Sequence, residues 1–376
     1  MIDFSPPFCA RQSCVHHRLD PPTPYTDFIP WGFYSTKAFG LVPRFRCLAC
    51  GKTFSVQTFS PHYYAKRRLD YQDIARRLAS CESLSAIGRA LHSSTDTISN
   101  RISRAARQTL AFDSRLGSCR FPHEDLAADG FESFCRSQFF PNNSTILVGS
   151  DSQFVYASDH TSLRRKGRMT AKQKQQRALL DRHFRPDPRG VQRSFSRIGL
   201  EALRVLSDSA RPSLSLWTDE HPAYGRAIAS TPCLAALAGI GRLCHHTISS
   251  RAVRTRWNPL FPVNYLDREI RKDLHEHVRE TVCFGRNVNR QMERLTLYLW
   301  WHNYLKPHRA RMEGVSHAAM AGYDRKETAG QLKRIWLSRA WLSLTELTEN
   351  MWETWLRRRA TPLKKGPDYL PKFARA

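Results

Sequence analysis

The sequence is short of acids. Lysine and arginine number 59 against 33 aspartates and glutamates, a formal net charge of +26 over 376 residues. The excess is spread along the chain and is not one basic tail. A globular chain this cationic repels itself unless a polyanion neutralises it, and the common polyanion is nucleic acid. A ribosomal or membrane-surface protein is the plainer reading of the same charge. Long apolar runs are also missing, which excludes a membrane-spanning helix. The opening "MIDFSPPFCARQSC" lacks the basic-then-apolar pattern of a secretory signal, so a cytoplasmic protein is expected. There the ten cysteines are expected as thiols or metal ligands, not disulfides. Repeats and low-complexity blocks are absent. The length allows two or three domains with a sizeable core.

What is present begins with cysteine spacing. "FCARQSC" holds Cys9 and Cys14, and "RFRCLACGKTF" holds Cys47 and Cys50. Two short-spaced pairs separated by a loop are what a tetrahedral four-thiolate zinc site needs. Gly51 suits the turn after the second pair, and "KAFGLVPRFRC" and "KTFSVQ" read as flanking strands. Residues 1–60 are therefore expected to form a zinc ribbon with one structural Zn²⁺, whose binding would supply the folding energy of a small core. His16 and His17 are alternative ligands, and four buried free thiols are the metal-free reading.

Residues 66–112 read as three helices. The first runs from about Asp70 to Ala79, the second starts near Ser83, and the third starts near Ser94 or Thr95. A short helix, a tight turn and a second helix make a helix-turn-helix. Ser94, Thr95, Thr97, Asn100, Arg101 and Arg104 are then the candidate DNA contacts. An ordinary helical hairpin with a wet polar face has the same pattern.

Short strand-like runs follow. They include "LAADGFESF", "STILVG", "FVYASDHT", "SLSLWTD" and "GRLCHHTI", with helix patterns between them. From about Asn258 the chain is almost wholly helix-patterned. This order implies a multidomain α+β chain with a mixed α/β core. Asp129 and Asp219 each follow an apolar run and lead into a turn. Burying such acids together is costly unless a cation sits between them, and oxygen-only ligands suit Mg²⁺ or Mn²⁺. Taken singly, each acid is also an ordinary turn residue. "SLRRKGRMTAKQKQQR" offers Arg164, Arg165, Lys166 and Arg168 to a phosphate backbone, without aromatics for stacking. His245 and His246 lack a matching cysteine pair for a second zinc site and stand as possible neighbours of the acids. The Trp-rich tail reads as core helices or as a dimer surface.

Taken in order, "CARQSC … RFRCLACGKTFS", the helix-turn-helix, "AADGFESF", "LWTDEHPAYGRA" and "VNYLDREIRKDLHEHVRETVCFGR" resemble a bacterial insertion-sequence transposase of the DDE type. The resemblance runs from Cys9 to about His308. It implies an RNase H-like catalytic domain over 120–310, followed by a helical extension over 311–376. It places the first acid on the first core strand (Asp129) and the second at the end of the fourth, in a T-D-x-x-x-A-Y context (Asp219). The third belongs on a helix after the fifth strand, usually as Glu in an I-E-R-like context, where this chain has Leu266, Asp267 and Arg268.

Helical periodicity bears on that choice. At about 100° per residue, Asp267 shares the stripe of Leu266, Ile270, Leu274, Val278 and Val282. Glu269, the runner-up, falls among Arg268, Lys272 and Asp273 on the side expected to be wet. An N3 capping role under Asn264 is the structural alternative for Asp267. The resemblance implies that Asp129, Asp219 and Asp267 hold Mg²⁺ or Mn²⁺ for cleavage and strand transfer at transposon ends. It further implies double-stranded DNA as partner, a homo-oligomer with a dimer favoured, and a cytoplasmic, nucleoid-associated location. A non-catalytic DNA-binding regulator derived from a transposase is the alternative.

Overall fold

The computed structural model describes residues 4–18, 26–116, 122–209, 211–278, 281–341 and 344–374. Cys119, residues 19–25 of the ribbon region, and residues 279–280 of "RETV" lie outside them.

The amino-terminal sheet is antiparallel in the order β1 (Phe28–Thr36), β2 (Gly40–Cys47), β3 (Thr53–Ser55). The turn between β2 and β3 carries Cys47 and Cys50. Gly51 sits there at φ +67°, a left-handed conformation open to glycine at no steric cost, and its N–H reaches Cys47 O at 3.0 Å. The sheet's own core is small: Phe8, Phe28, Phe45, Phe54 and Phe59 around the cysteines.

Three helices follow: α1 (Tyr71–Leu78), α2 (Leu84–Ala90) and α3 (Thr95–Leu116). Asp70 caps α1 by accepting the Gln72 and Asp73 N–H groups, and Ser83 caps α2 at Ala86. Tyr71, Ile74, Leu78, Ile87, Ile98 and Ile102 close the trihelical core. The third helix is 22 residues long and is buried on every side from Arg101 to Phe112.

The main sheet has five strands in the order β6-β5-β4-β7-β8. Strands β4 (Leu126–Phe134), β5 (Pro141–Gly149) and β6 (Val155–Ser162) run antiparallel as a meander. Strands β7 (Leu214–Asp219) and β8 (Leu243–Ile248) then add in parallel beside β4. Helix α4 (Ala171–Asp181) buries no residue, whereas α5 (Gly190–Asp208) lays Phe195, Ile198, Ala202 and Val205 on the sheet. Pro222 opens α6 (Pro222–Ser230) directly after β7, and α7 (Pro232–Gly239) leads into β8. Helices α8 (Phe261–Asp273) and α9 (Val288–Tyr304) cover the sheet and α3. The architecture is thus mixed α+β, as the strand order implied.

Residues 311–376 are expected above as a helical extension. Their described part is only partly helical, with α10 (His317–Met320), α11 (Arg325–Arg334) and α12 (Glu349–Trp355). They return across the whole molecule. Trp341 enters the ribbon core beside Phe8 and Phe59. Gln108 of α3 donates to Ile335 O and Ser338 O, and Arg359 pairs with Asp159 of β6.

Candidate functional site

The four cysteines converge. Cys9 Sγ lies 3.5 Å from Cys50 Sγ, and Cys14 Sγ lies 3.7 Å from Cys47 Sγ. All four sulfurs are within 4.8 Å of one another. Those separations are far beyond a disulfide bond. They match the roughly 3.8 Å sulfur spacing of a tetrahedron with ~2.3 Å zinc–thiolate bonds. Backbone N–H groups of Arg11 and His16 point at Cys9 and Cys14 sulfur at 3.4 Å. Burial pushes the Cys9 and Cys14 thiols up. Burial works against Cys50 too, but the Lys52 N–H and the other thiols hold it at about 7. The set fits a structural metal ion such as zinc. His16 and His17 stand outside it: His17 bonds Cys9 O at 2.7 Å, and His16 lies between Cys47 Sγ and Asp27.

Three acids approach one tyrosine. Asp129 lies on β4 opposite Ile146, Asp219 ends β7, and Asp267 lies on α8. Each is half-buried. Tyr224, on the first turns of α6, donates to Asp129 Oδ1 at 3.3 Å. Burial raises the Tyr224 hydroxyl well above its ordinary range, and the charges of Asp129, Asp219 and Asp267 all add to that rise. Asp129 is lifted to about 6, first by burial and then by the charge of Asp219. Asp267 is lifted to about 8, first by burial and then by the charge of Asp129. Arg254 opposes both rises, and Arg271 opposes that of Asp267. Asp219 Oδ1 accepts the His221 N–H at 2.9 Å. Asp267 Oδ1 is buried with no hydrogen-bond partner.

The cluster is open. Among the described residues only the cysteines bring three or more donor atoms within 4.8 Å of one another. The carboxylates nevertheless repel one another, and an orphaned buried oxygen is costly. A divalent cation would relieve both penalties, and the all-oxygen donor set suits a hard ion. Sequence alone assigns no role to Tyr224, Arg254 or Arg271. The tyrosine is visible in "TDEHPAY", but its bond to Asp129 is set by the fold.

Glu269 is not on a wet face. It is 6 % exposed, bonds Lys272 Nζ at 2.9 Å and also bonds Lys306 Nζ. Burial alone would raise it, yet the two lysines hold it below the ordinary carboxylate range. The physical reason is Lys306, just beyond α9, which closes over this side of α8. The capping alternative for Asp267 also falls. Helix α8 starts at Phe261 with Leu260 as N-cap, so Asp267 is in its second turn. The expected stripe stops with the helix at Asp273, whose carbonyl accepts the Cys81 N–H. Val278 and Val282 are 36 % and 85 % exposed.

The helix-turn-helix candidates divide. Ser94 and Thr95 are exposed, and Ser94 caps Thr97. Asn100 accepts from Arg104 Nε at 3.1 Å. Arg101 and Arg104 are 4 % and 6 % exposed and turn inward. Arg101 donates to Arg67 O at 3.0 Å, while Arg104 donates to Pro61 O at 3.0 Å and lies over Phe373. Both guanidinium groups are buried and donate to remote carbonyls. In the basic segment Lys166 and Arg168 are exposed, Arg164 pairs with Asp181, and Arg165 lies over Phe139. His245 bonds Thr218 Oγ1 at 2.9 Å, one residue from Asp219, and His246 stacks on Trp217. No protein-family model and no curated protein matches the chain. Among the described residues no helix is long and apolar enough to cross a membrane.

Proposed function

We propose that the chain is a DDE-type DNA transposase with an RNase H-like core, a zinc ribbon and a helix-turn-helix. The observation that carries the reading is that three partly buried acids lie on adjoining elements: Asp129 on β4, Asp219 at the end of the neighbouring β7, and Asp267 on α8, which packs on β4. Their order also agrees with the resemblance. They occupy the first and fourth strands of the five-stranded sheet and the helix after the fifth.

Asp129, Asp219 and Asp267 would hold Mg²⁺ or Mn²⁺. The ion supplies activation of water and charge stabilisation at the leaving oxygen of a phosphodiester. Tyr224 orients Asp129 through its hydroxyl. Arg254, exposed beside the acids, is placed to meet a backbone phosphate. Lys166 and Arg168 extend the cationic surface for duplex DNA. Cys9, Cys14, Cys47 and Cys50 would hold one structural Zn²⁺.

The test is metal-dependent nicking of DNA bearing the element's ends. Asp219→Asn should abolish strand cleavage and leave end binding intact. A fully active Asp219→Asn protein sinks the assignment. A wild-type chain that binds ends but never nicks them with Mg²⁺ or Mn²⁺ is instead a regulator derived from a transposase.

A further inference from the structure

The ribbon exposes aromatic side chains that its own core does not use. Trp31 is 44 % exposed, Phe33 58 % and Leu41 71 %. The β1–β2 register sets Phe33 opposite Pro43 and Ser35 opposite Leu41. Residues paired across the ladder, and those two apart along a strand, share one face. Phe33, Leu41 and Pro43 therefore form one apolar surface near the hairpin tip. Trp31 sits where the register shifts between Pro30 and Phe33 and lies on the opposite face. It is beside Arg46, three residues from Pro43, and the Arg46 guanidinium is 4.8 Å from its ring centroid. Strand β1 is the open edge between the two faces. Exposed Lys37 lies in the hairpin turn.

Charge identifies the occupant. From residue 28 to residue 69 the sequence contains no aspartate or glutamate and seven lysines and arginines. Flat aromatic faces beside cations, with no acid among them, fit a ligand of π-faces and phosphates. A duplex hides those faces within its stack, whereas unpaired bases present them.

We infer that single-stranded DNA crosses the open edge of the β1–β2 hairpin, with one base on Phe33 on one face, another on Trp31 on the other, and Lys37 and Arg46 on phosphates. The inference rests on the DNA-binding part of the reading above and adds a strand state to it. It does not depend on the acids.

The experiment uses the full chain, zinc-loaded, with fluorescence anisotropy of a labelled oligothymidylate and of a duplex of equal length. Trp31→Ala and Phe33→Ala should each weaken single-strand binding by about 10-fold or more, the loss of one stacked base. Duplex binding should stay within about twofold, as stacking on a closed duplex is not available. Phe33→Tyr should restore affinity, and retained zinc content checks the fold. Unchanged oligothymidylate affinity in the Trp31→Ala/Phe33→Ala double variant overturns the inference. So does dissociation of an oligomer in that variant by sedimentation, which identifies a second copy as the occupant. If duplex binding and nicking persist while single-strand binding is absent, only this inference fails. If single-strand binding holds but nicking never occurs, only the catalytic reading fails.

Discussion

Asp267 is held against its own charge. Its folded pKa of about 8 stands above the ordinary aspartate value, so the native state keeps a proton that the unfolded state has lost. The resulting penalty is absent below about pH 4, grows as pH rises, and is complete above about pH 8. Asp267→Asn should therefore raise the melting temperature above pH 8 and leave it unchanged below pH 4. The gain should be about 2–4 °C for each kcal/mol relieved. Mg²⁺ should stabilise the wild-type chain increasingly from pH 6 to 8, as it replaces protons on Asp129 and Asp267, and should do little to the variant. Scanning calorimetry across pH, with and without Mg²⁺, decides both points. The choice between Asp267 and Glu269 was half legible in the sequence. Periodicity put Asp267 on the inner stripe, where it lies. It put Glu269 in water because one helix's pattern contains nothing of Lys306, 37 residues further on.

Two elements are tied together by buried charge. Glu293 of α9 is 1 % exposed and accepts from Arg107 of α3 at 3.0 Å and from Arg357 at 2.7 Å. Burial pulls Arg107 down to about 10, and the Glu293 charge resists that fall. Glu293→Ala would leave two guanidinium groups buried without their counter-ion. The expected cost is about 3–5 kcal/mol, measured by urea denaturation. Buried arginines also explain why α3 misleads. Arg101 and Arg104 read as DNA contacts, but carbonyls of Arg67 and Pro61 receive them. Those acceptors lie outside α3, and no local window contains them. The cysteine pairs were legible because their spacing is itself the geometric requirement. Chelating a metal held by the four cysteines should unfold the amino-terminal sheet and uncover Trp341, since a core of a few phenylalanines cannot stand alone. A red shift in tryptophan emission together with four newly titratable thiols would report it.

Across the whole molecule, protonation pulls in two directions. His62, His277 and His317 are depressed by burial to about 4, His160 to about 3, and His302 well below its ordinary value. A depressed histidine leaves the native state neutral while the unfolded chain takes up a proton. Its contribution is fully present above the ordinary value of 6.5 and is lost as pH falls towards 4. Asp113, Asp129 and Asp267 do the reverse. Burial raises them to about 7, 6 and 8, so the native state gains protons before the unfolded chain does, and acidification from pH 8 stabilises it. Between pH 8 and 6.5 the three aspartates outnumber Cys50, whose depressed thiol acts in the opposite direction, and stability should rise as pH falls. Below 6.5 the five histidines outnumber the three aspartates, so it should fall. The metal-free chain should thus be most stable near pH 6–6.5, a maximum set by buried groups and not by its basic isoelectric point. Polyanion binding should raise the whole curve at low salt, because a net charge of +26 repels itself, and that rise should shrink as salt screens it. Melting curves from pH 4 to 9, with and without heparin, test both. A maximum above pH 8 would mean that the acids, not the histidines, are misassigned as buried. A heparin effect independent of salt would mean that the charge acts through one local pocket and not through the molecule's overall field.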